Sequence, residues 1–321
     1  MNTFGRLFRV SIFGESHGNC VGVLIDGVPA GIKLSVADFK KDLSRRNPDL
    51  KGTTARKECD IPDIKSGIFN GVTTGAPLLI VFDNRETKPK DYESLKNSPR
   101  PGHADFTAWS KFGGFNDYRG GGYFSGRLTA GLVAAGVIAK KIIKNVKIEA
   151  ELTGAKNKKI KANDSLGGVI ECRINKVPVG LGEPFFDSVE SVISYVIFAI
   201  PGVKGIEFGA GFKAADMLGS NYNDIIIDKS GKTKTNNAGG INGGISNGND
   251  IVFRVSVHPT PSIAKEQKTI NLKTGKKETI SVTGRHDACF ALRVPVIVEA
   301  VSAMVIADFM LLEQKIPRIV E

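Results

Sequence analysis

Cysteine is scarce in this chain and poorly spaced for cross-linking or metal binding. Cys20, Cys59, Cys172 and Cys289 stand far apart with no C-x-x-C pair, which argues against a disulfide framework and against a structural zinc site. They read as buried or idle thiols in a reducing compartment. Aromatics are also few. The one tryptophan and five tyrosines form no stripe interleaved with basic residues, the pattern that stacks on single-stranded nucleic acid. A long uninterrupted apolar run is missing as well. The stretch from Val294 to Leu312 is broken by Pro295, Glu299 and Asp308, and falls short of the roughly 20 apolar residues of a membrane span. The first residues, MNTFGRLFRVSIFGESHGNC, have no apolar core or small-residue cleavage site of a secretory signal. A cytoplasmic location with no membrane partner is therefore expected.

What is present is an ordinary globular composition, 41% hydrophobic and 24% charged, over 321 residues. That length buries a sizeable core as one large domain or two medium ones. The net charge of +11 predicts an anionic partner without saying which kind. Part of the excess lies in runs such as Lys156-Asn157-Lys158-Lys159, which read as solvated loop or edge. Glycine is the oddity. Its 37 residues cluster at Gly120-Gly121-Gly122, Gly239-Gly240 and Gly243-Gly244, and such clusters mark tight turns or close approach to a ligand.

The patterning predicts a strand hairpin, Leu7–Phe13 and Val21–Ile25, around the loop Gly14–Asn19. Ser35-x-x-Asp38 predicts a capped helix over roughly Val36–Arg46, with Arg45 and Arg46 at the end that favours cations. Helical spacing continues through Leu128–Lys144. Asp187 is expected to cap a helix reaching Ile197, and Pro295 to open a long apolar helix to Leu312. Strands are expected at Leu78–Phe82, Lys147–Leu152, Val169–Ile174, Asp224–Ile227 and Ile251–Val257. Gly22–Asp42 and Gly168–Ile197 echo one another, each reading strand, Val-Pro-x-Gly, helix. Strands and long helices in blocks favour α+β over alternating βαβ units. The expectation is a single α+β domain over 1–321, a β-α-β sandwich built from two related halves.

Of the four histidines, His17 and His103 lie in the glycine-flanked loops Gly14-Glu15-Ser16-His17-Gly18 and Arg100-Pro101-Gly102-His103-Ala104-Asp105. His286 lies in Gly284-Arg285-His286-Asp287. Histidine suits proton transfer near neutrality, although a loop histidine is also commonly just exposed. No H-x-x-H or H-E-x-x-H spacing supports a metal, and no G-x-S-x-G elbow supports serine-hydrolase chemistry. Asp117-Tyr118-Arg119-Gly120-Gly121-Gly122-Tyr123-Phe124-Ser125-Gly126-Arg127 runs into the Leu128 helix. Glycines before a helix N-terminus can form an anion site, and Arg119 and Arg127 can add bidentate contacts. A flexible glycine turn is the competing reading, since neither Walker A nor a clean G-x-G-x-x-G is matched. Asn236–Gly244 is a second backbone-rich concavity, and His258-Pro259-Thr260-Pro261-Ser262 offers hydroxyls at a turn. Together these suit a planar or anionic small ligand.

Taken in order, Phe13–Gly18, Asp26–Gly31, Gly71–Gly75, Arg100–Asp105, Asp117–Gly122, Gly180–Pro184, Ala238–Gly240 and Gly284–Asp287 resemble chorismate synthase along nearly the whole chain. The resemblance implies a lyase that eliminates phosphate in the anti-1,4 sense from 5-enolpyruvylshikimate 3-phosphate, giving chorismate for aromatic amino acid biosynthesis. It implies reduced FMN with no net redox change, and associates NADP with the activity. A homotetramer is implied, which would give the long C-terminal helix a partner; burial within its own domain is the alternative. No added flavin-reductase domain is present in the sequence, so reduced flavin is expected from an external reductase or reductant.

By matching position, the resemblance implies that His17 protonates or holds the reduced flavin. His103 sits against substrate or the flavin edge, and Asp287 works with the flavin in removing the ring proton. Ser16 and Ser125 are supporting hydroxyls. Arg46, Lys51, Arg119 and Arg127 face the substrate. Tyr123, Phe124, Ser125, Gly243, His258, Pro259, Thr260, Pro261, Ser262 and Arg285 line the flavin. The chain departs from the family's pattern in several places. Tyr123-Phe124 replaces an Arg-Ser pair, so an arginine is missing and an aromatic stacks or packs there instead. Lys51 stands for a second arginine and loses bidentate geometry. His258 replaces a lysine, and an insertion before Gly168 is absent. Two rival readings are a flavin oxidoreductase on an anionic small molecule, which would consume flavin stoichiometrically, and a basic nucleic-acid binder, which would bind with a steep salt dependence. The missing aromatic stripe counts against the second, so no nucleic acid is expected.

Overall fold

The computed structural model describes residues 2–47, 53, 60–85, 89–154, 163–282 and 287–316. The first half supplies strands β1 (Thr3–Phe4), β2 (Arg9–Gly14), β3 (Cys20–Asp26) and β4 (Asp63–Ile64). A short hairpin of β5 (Ile68–Phe69) and β6 (Val72–Thr73) leads to β7 (Leu78–Asp83). Helix α1 (Lys40–Arg46) follows β3, while α2 (Asp105–Phe112) and α3 (Thr129–Ile142) follow β7. The second half supplies β8 (Lys147–Gly154), β9 (Gly168–Asn175), α4 (Val189–Ile197), β10 (Val203–Phe208) and α5 (Gly219–Tyr222). The hairpin β11 (Ile241–Asn242) and β12 (Ile245–Ser246), strand β13 (Ile251–Val257), the hairpin β14 (Gln267–Ile270) and β15 (Lys277–Ile280), and helix α6 (Val294–Leu312) complete it.

Two antiparallel sheets result, a five-stranded one in the order β1-β2-β3-β7-β4 and a four-stranded one in the order β10-β13-β9-β8. Each buries one face. Val21, Val23 and Ile25 of β3, and Ile251, Phe253, Val255 and Val257 of β13, are all buried, as the two-residue period of a half-covered strand requires. Helix α3 packs on the first sheet, α6 on the second, and the two helices pack on each other. The layering is sheet, helices, sheet, and each half contributes one sheet followed by one long buried helix. At the helix contact a Cβ on Gly136 would lie 2.4 Å from Ala300 Cα, so the close crossing depends on glycine.

The polar residues that interrupt the apolar α6 are its anchors. Glu299 accepts from both terminal nitrogens of Arg45 at 2.7 Å, from Lys140 Nζ at 3.1 Å and from the Ala150 amide at 3.1 Å. It thereby ties α1, α3 and β8 to α6. Burial alone would raise its pKa, but the cations of Arg45 and Lys140 outweigh that and hold it below the usual value. Asp308 accepts from the backbone N–H groups of Arg6, Leu7 and Phe8 at 2.8–3.1 Å. By length and composition α6 could cross a membrane, yet it is buried along nearly its whole length inside the protein. The alternative of own-domain burial therefore holds for this helix.

Two expectations are corrected. Ser188, not Asp187, caps α4: its hydroxyl accepts from Ser191 N at 3.1 Å, whereas Asp187 forms an ion pair with Arg6. One residue of register separates the two possible caps, and the distant arginine takes the carboxylate. The region Asp224–Ile227 forms only an isolated bridge, Ile226 to Thr233. Its three isoleucines are exposed, because the segment lies outside both sheets and has no face to bury. The two-residue strands, the β14–β15 hairpin, helices α2 and α5, and the six-residue β10 have no counterpart in the expected elements. Val203–Phe208 is a strand interrupted by Gly205 and charges, so its periodicity is weak.

Candidate active site

One cavity, about 530 Å³ in volume, opens where the loops of the two halves meet. The loop between β2 and β3 brings in Ser16, and the end of α1 brings in Arg46. The segment before α2 presents Arg100 and His103, and the glycine-rich turn before α3 presents Tyr123 to Arg127. The turn after β13 adds His258, Thr260, Pro261 and Ser262, and the approach to α6 adds Asp287 and Arg293. Strand ends and helix starts thus converge from both sheets, which is why the site spans the sequence.

The loop conformations are set by glycine. Gly120 has φ +59°, and a Cβ there would lie 2.3 Å from His17 Nδ1. The ring of His17 therefore rests directly against the glycine backbone, with Tyr92 edge-on at 5.0 Å on another side. His17 is 7% exposed. It sits behind Gly120 and Tyr92, both of which line the cavity. The backbone N–H of Ser16 donates to Gly122 O at 3.1 Å, locking the two loops together. The glycine run is thus a close-packed turn.

Four arginines of the wall, Arg46, Arg100, Arg127 and Arg293, are each no more than 6% exposed. Each is matched by carboxylates. Arg46 and Arg127 both donate to Asp60, one to each oxygen. Arg127 also donates through Nε to Asn84 Oδ1 at 2.9 Å. Burial pushes the Asp60 carboxyl up, but the charges of Arg46 and Arg127 more than reverse this and hold it below the usual range. Arg100 donates to Asp105 from Nε at 2.7 Å and Nη2 at 2.8 Å, and to Ser262 Oγ from Nη1 at 2.9 Å. His103 Nδ1 lies 2.6 Å from Asp105 Oδ1. An approach that short places the Nδ1 proton between them, so the 3.1 Å neighbour Arg100 Nη2 donates to the carboxylate rather than to the ring. Desolvation opposes ionisation of Asp105, but hydrogen bonds from Arg100 and His103 outweigh it and hold the carboxyl far below the usual range. Arg293 donates from Nε to Asp287 Oδ1 at 2.9 Å.

Four guanidinium groups against Asp60, Asp105 and Asp287 leave the wall with cationic surplus. Buried arginines in fixed orientations suit phosphate and carboxylate. Histidines fixed in place by packing and by a carboxylate suit proton transfer. Thr260 lines the cavity, and its Oγ1 is buried with no partner among the described residues, an unusual state for a hydroxyl. Phe124 lies against Phe112 and Tyr123, with ring centres 6.3 and 5.8 Å away, and the Tyr123 hydroxyl donates to Asn2 Oδ1.

The structure brings Ser16, Arg46, His103, Tyr123, Phe124, Ser125, Arg127, His258, Thr260, Pro261, Ser262 and Asp287 to one cavity wall. His17 stands immediately behind it. It does not bring Arg119, Pro259 or Gly243 there. Arg119 is turned onto Asp117 two residues away, at 2.8 Å, and Gly243 forms the turn between β11 and β12. Lys51 and Arg285 lie outside the described residues. The motif reading passed over Arg100, Asp105, Asp60, Asn84 and Arg293. Arg100 and Asp105 stand inside the quoted Arg-Pro-Gly-His-Ala-Asp motif and were within reach. Asp60 and Asn84 carry no local signal, because their partners are distant in sequence.

A family model described as chorismate synthase matches residues 8–161 and 148–311. The chorismate synthase of Chitinophaga pinensis is 60% identical over 329 residues, covering 99% of each chain. That of Dehalococcoides mccartyi is 46% identical over 361 residues, covering 100% of this chain and 99% of its own. A crystal structure of chorismate synthase superposes with a TM-score of 0.70 at 26% identity, covering 97% of this chain and 93% of that one. On fold, extent and sequence alike, this chain belongs to the chorismate synthase family of phosphate-eliminating lyases.

Proposed function

We propose that the cavity binds 5-enolpyruvylshikimate 3-phosphate beside reduced FMN and that the residues on its wall perform the anti-1,4-elimination of phosphate. The observation that carries this is the convergence of four buried arginines with His103 and Asp287 on one cavity wall, with His17 packed behind Gly120 of that wall. Arg46 and Arg127, held in place by Asp60, take the phosphate and carboxylate groups of the substrate, with Ser16 as a supporting hydroxyl. Lys51 is a further cation for the substrate. Arg119, paired with Asp117, is left out of this set. Asp287 receives the ring proton, and His17 and His103 hold or move protons at the flavin and substrate edges.

A reduced flavin fits the residues present. The volume lies within the roughly 300–1,000 Å³ of small-molecule sites, Phe124 and Tyr123 offer flat apolar walls, and Thr260 Oγ1 awaits a hydrogen-bond partner. Ser125, His258, Pro261 and Ser262 complete that wall, with Arg285 expected beside it. Bound there, reduced FMN would supply electron density to the substrate ring, with no net redox change. The flavin is delivered by an external reductase, and the reaction runs in the cytoplasm. Assembly as a homotetramer is supported by large exposed apolar side chains, among them Phe185, Phe186, Phe212 and Leu218, each at least 71% exposed.

The test is anaerobic assay of the purified protein with 5-enolpyruvylshikimate 3-phosphate and chemically reduced FMN. Many phosphates released per flavin, with chorismate absorbance rising in step, are expected. Stoichiometric flavin consumption, or no phosphate release, overturns the reading.

A further inference from the structure

Arg293 stands at the N-terminus of α6 and is 5% exposed. Its guanidinium reaches three other groups. Nε donates to Asp287 Oδ1 at 2.9 Å, and Nη1 donates to the Arg46 carbonyl at 3.0 Å and to Asn47 Oδ1 at 2.8 Å. Arg46 and Asn47 close α1 in the first half of the chain, while Asp287 and Arg293 belong to the second. One planar group therefore sets the distance between the proposed proton acceptor and the proposed substrate-binding arginine. Its Nη2 is buried with no partner among the described residues. Such an atom carries an unrepaid desolvation penalty, and on a side chain that lines the cavity that cost points to a role beyond stability.

We propose that Arg293 is a positioning residue of the elimination, holding the Asp287 carboxylate in register with the Arg46 segment so that proton removal occurs where the substrate is held. This rests on the role proposed above for Asp287. The fixed fork of the guanidinium is what the geometry uses: two directions are occupied from nitrogens a set distance apart. A lysine ammonium keeps the charge but is a point charge on a flexible stem, and cannot hold both ends at once.

The experiment compares wild type with Arg293→Lys, Arg293→Gln and Asn47→Ala. Turnover is measured with substrate carrying hydrogen or deuterium at the ring carbon that loses its proton. Arg293→Lys is expected to fold with unchanged circular dichroism and to lose about a hundredfold in kcat, the order expected for a misplacement of about 1 Å. Its deuterium isotope effect on kcat should rise as proton removal becomes the slowest step. Asn47→Ala frees one anchor and is expected to show the same rise with a smaller loss. A merely structural cross-link would lower the melting temperature and leave turnover per folded molecule and the isotope effect unchanged. That outcome in Arg293→Lys overturns the proposal. Should both Arg293 variants fail to fold, an unchanged isotope effect in Asn47→Ala overturns it equally. Asp287→Ala separates the two readings. Near-normal turnover there removes the base assignment, whereas an inactive Asp287→Ala beside a normal Arg293→Lys removes only the role of Arg293.

Discussion

Arg127 and Asn84 are joined directly, guanidinium Nε to side-chain Oδ1, at 2.9 Å. The amide nitrogen of the same Asn84 donates to the carbonyls of Glu15 and Gly18, each at 2.9 Å. One short side chain thus ties Arg127, proposed above to take the substrate, to the two ends of the loop that carries Ser16 and His17. Asn84→Ala is expected to raise KM for the substrate about tenfold with a smaller fall in kcat, since a hydrogen bond to a charged group contributes roughly 1.5–3 kcal/mol. Steady-state kinetics with saturating reduced FMN check this, and an unchanged KM would sink it.

His17→Ala and Asp287→Ala are each expected to lower kcat by about 10²–10⁴-fold, the usual contribution of a general acid or base, while circular dichroism remains that of wild type. His17 packs against Gly120 and Tyr92 at the edge of the cavity, and alanine there keeps the backbone bonds of the loop, so the fold should stay intact. A variant that turns over normally removes that residue from the chemistry.

Gly120→Ala tests the same contact from the other side. The new methyl would meet the His17 ring at 2.3–2.4 Å, and the backbone φ of +59° is left-handed. A destabilisation of at least about 1–2 kcal/mol is expected from the backbone alone, with kcat reduced through displacement of the ring. Thermal melting and turnover read the two effects separately. A crystal structure of the variant showing His17 unmoved would contradict the second.

Asp105 should make the fold acid-sensitive. Its carboxyl is held far below the ordinary value by Arg100 and His103. Its stabilisation is therefore fully present above the unfolded-state pKa near about 4, and is lost progressively as pH falls below that towards the folded-state value. Asp105→Asn is expected to destabilise by about 3 kcal/mol at pH 7, the range for breaking a buried pair. The difference from wild type should shrink as pH falls below 4. Urea titrations at several pH values measure it, and a pH-independent difference would refute the assignment.

Gly136→Leu is expected to destabilise strongly and without any specific catalytic defect, because even a Cβ there would lie 2.4 Å from Ala300 Cα in the α3–α6 contact. Overpacking of this kind costs about 1–3 kcal/mol or more. A melting temperature equal to that of wild type would show that the helices separate freely.

Much of the candidate site was legible because its cavity-lining residues sit in contiguous motifs. Ser16 with His17, His103, and Tyr123 through Arg127 are each read from a few adjacent residues, and glycine punctuates all three, whereas Arg100 and its partner Asp105 were passed over. Arg119 shares a motif with Arg127 but stands apart from the cavity wall. Only the three-dimensional turn shows that Asp117, two residues away, satisfies it first. Asp187 misled for a related reason: an acceptable local cap was taken up by an arginine 181 residues distant.

The sequence by itself determined the α+β class, the hairpin at the start, the Ser35–Asp38 capping box that opens the turn leading into α1, the two long helices and the loops that carry histidine and arginine. These follow from period, capping and glycine placement, which act over a few residues. Only the tertiary structure decided that α6 is sheathed by its own chain, and that its charged interruptions, Glu299 and Asp308, are clamps on α1, α3, β8 and the N-terminal segment. It also decided the pairing of Asp60 with both Arg46 and Arg127, and of Arg293 with Asp287. Buried charges have to find opposite charges, but which one each finds depends on how two sheets and two helices are layered, and no local pattern encodes that.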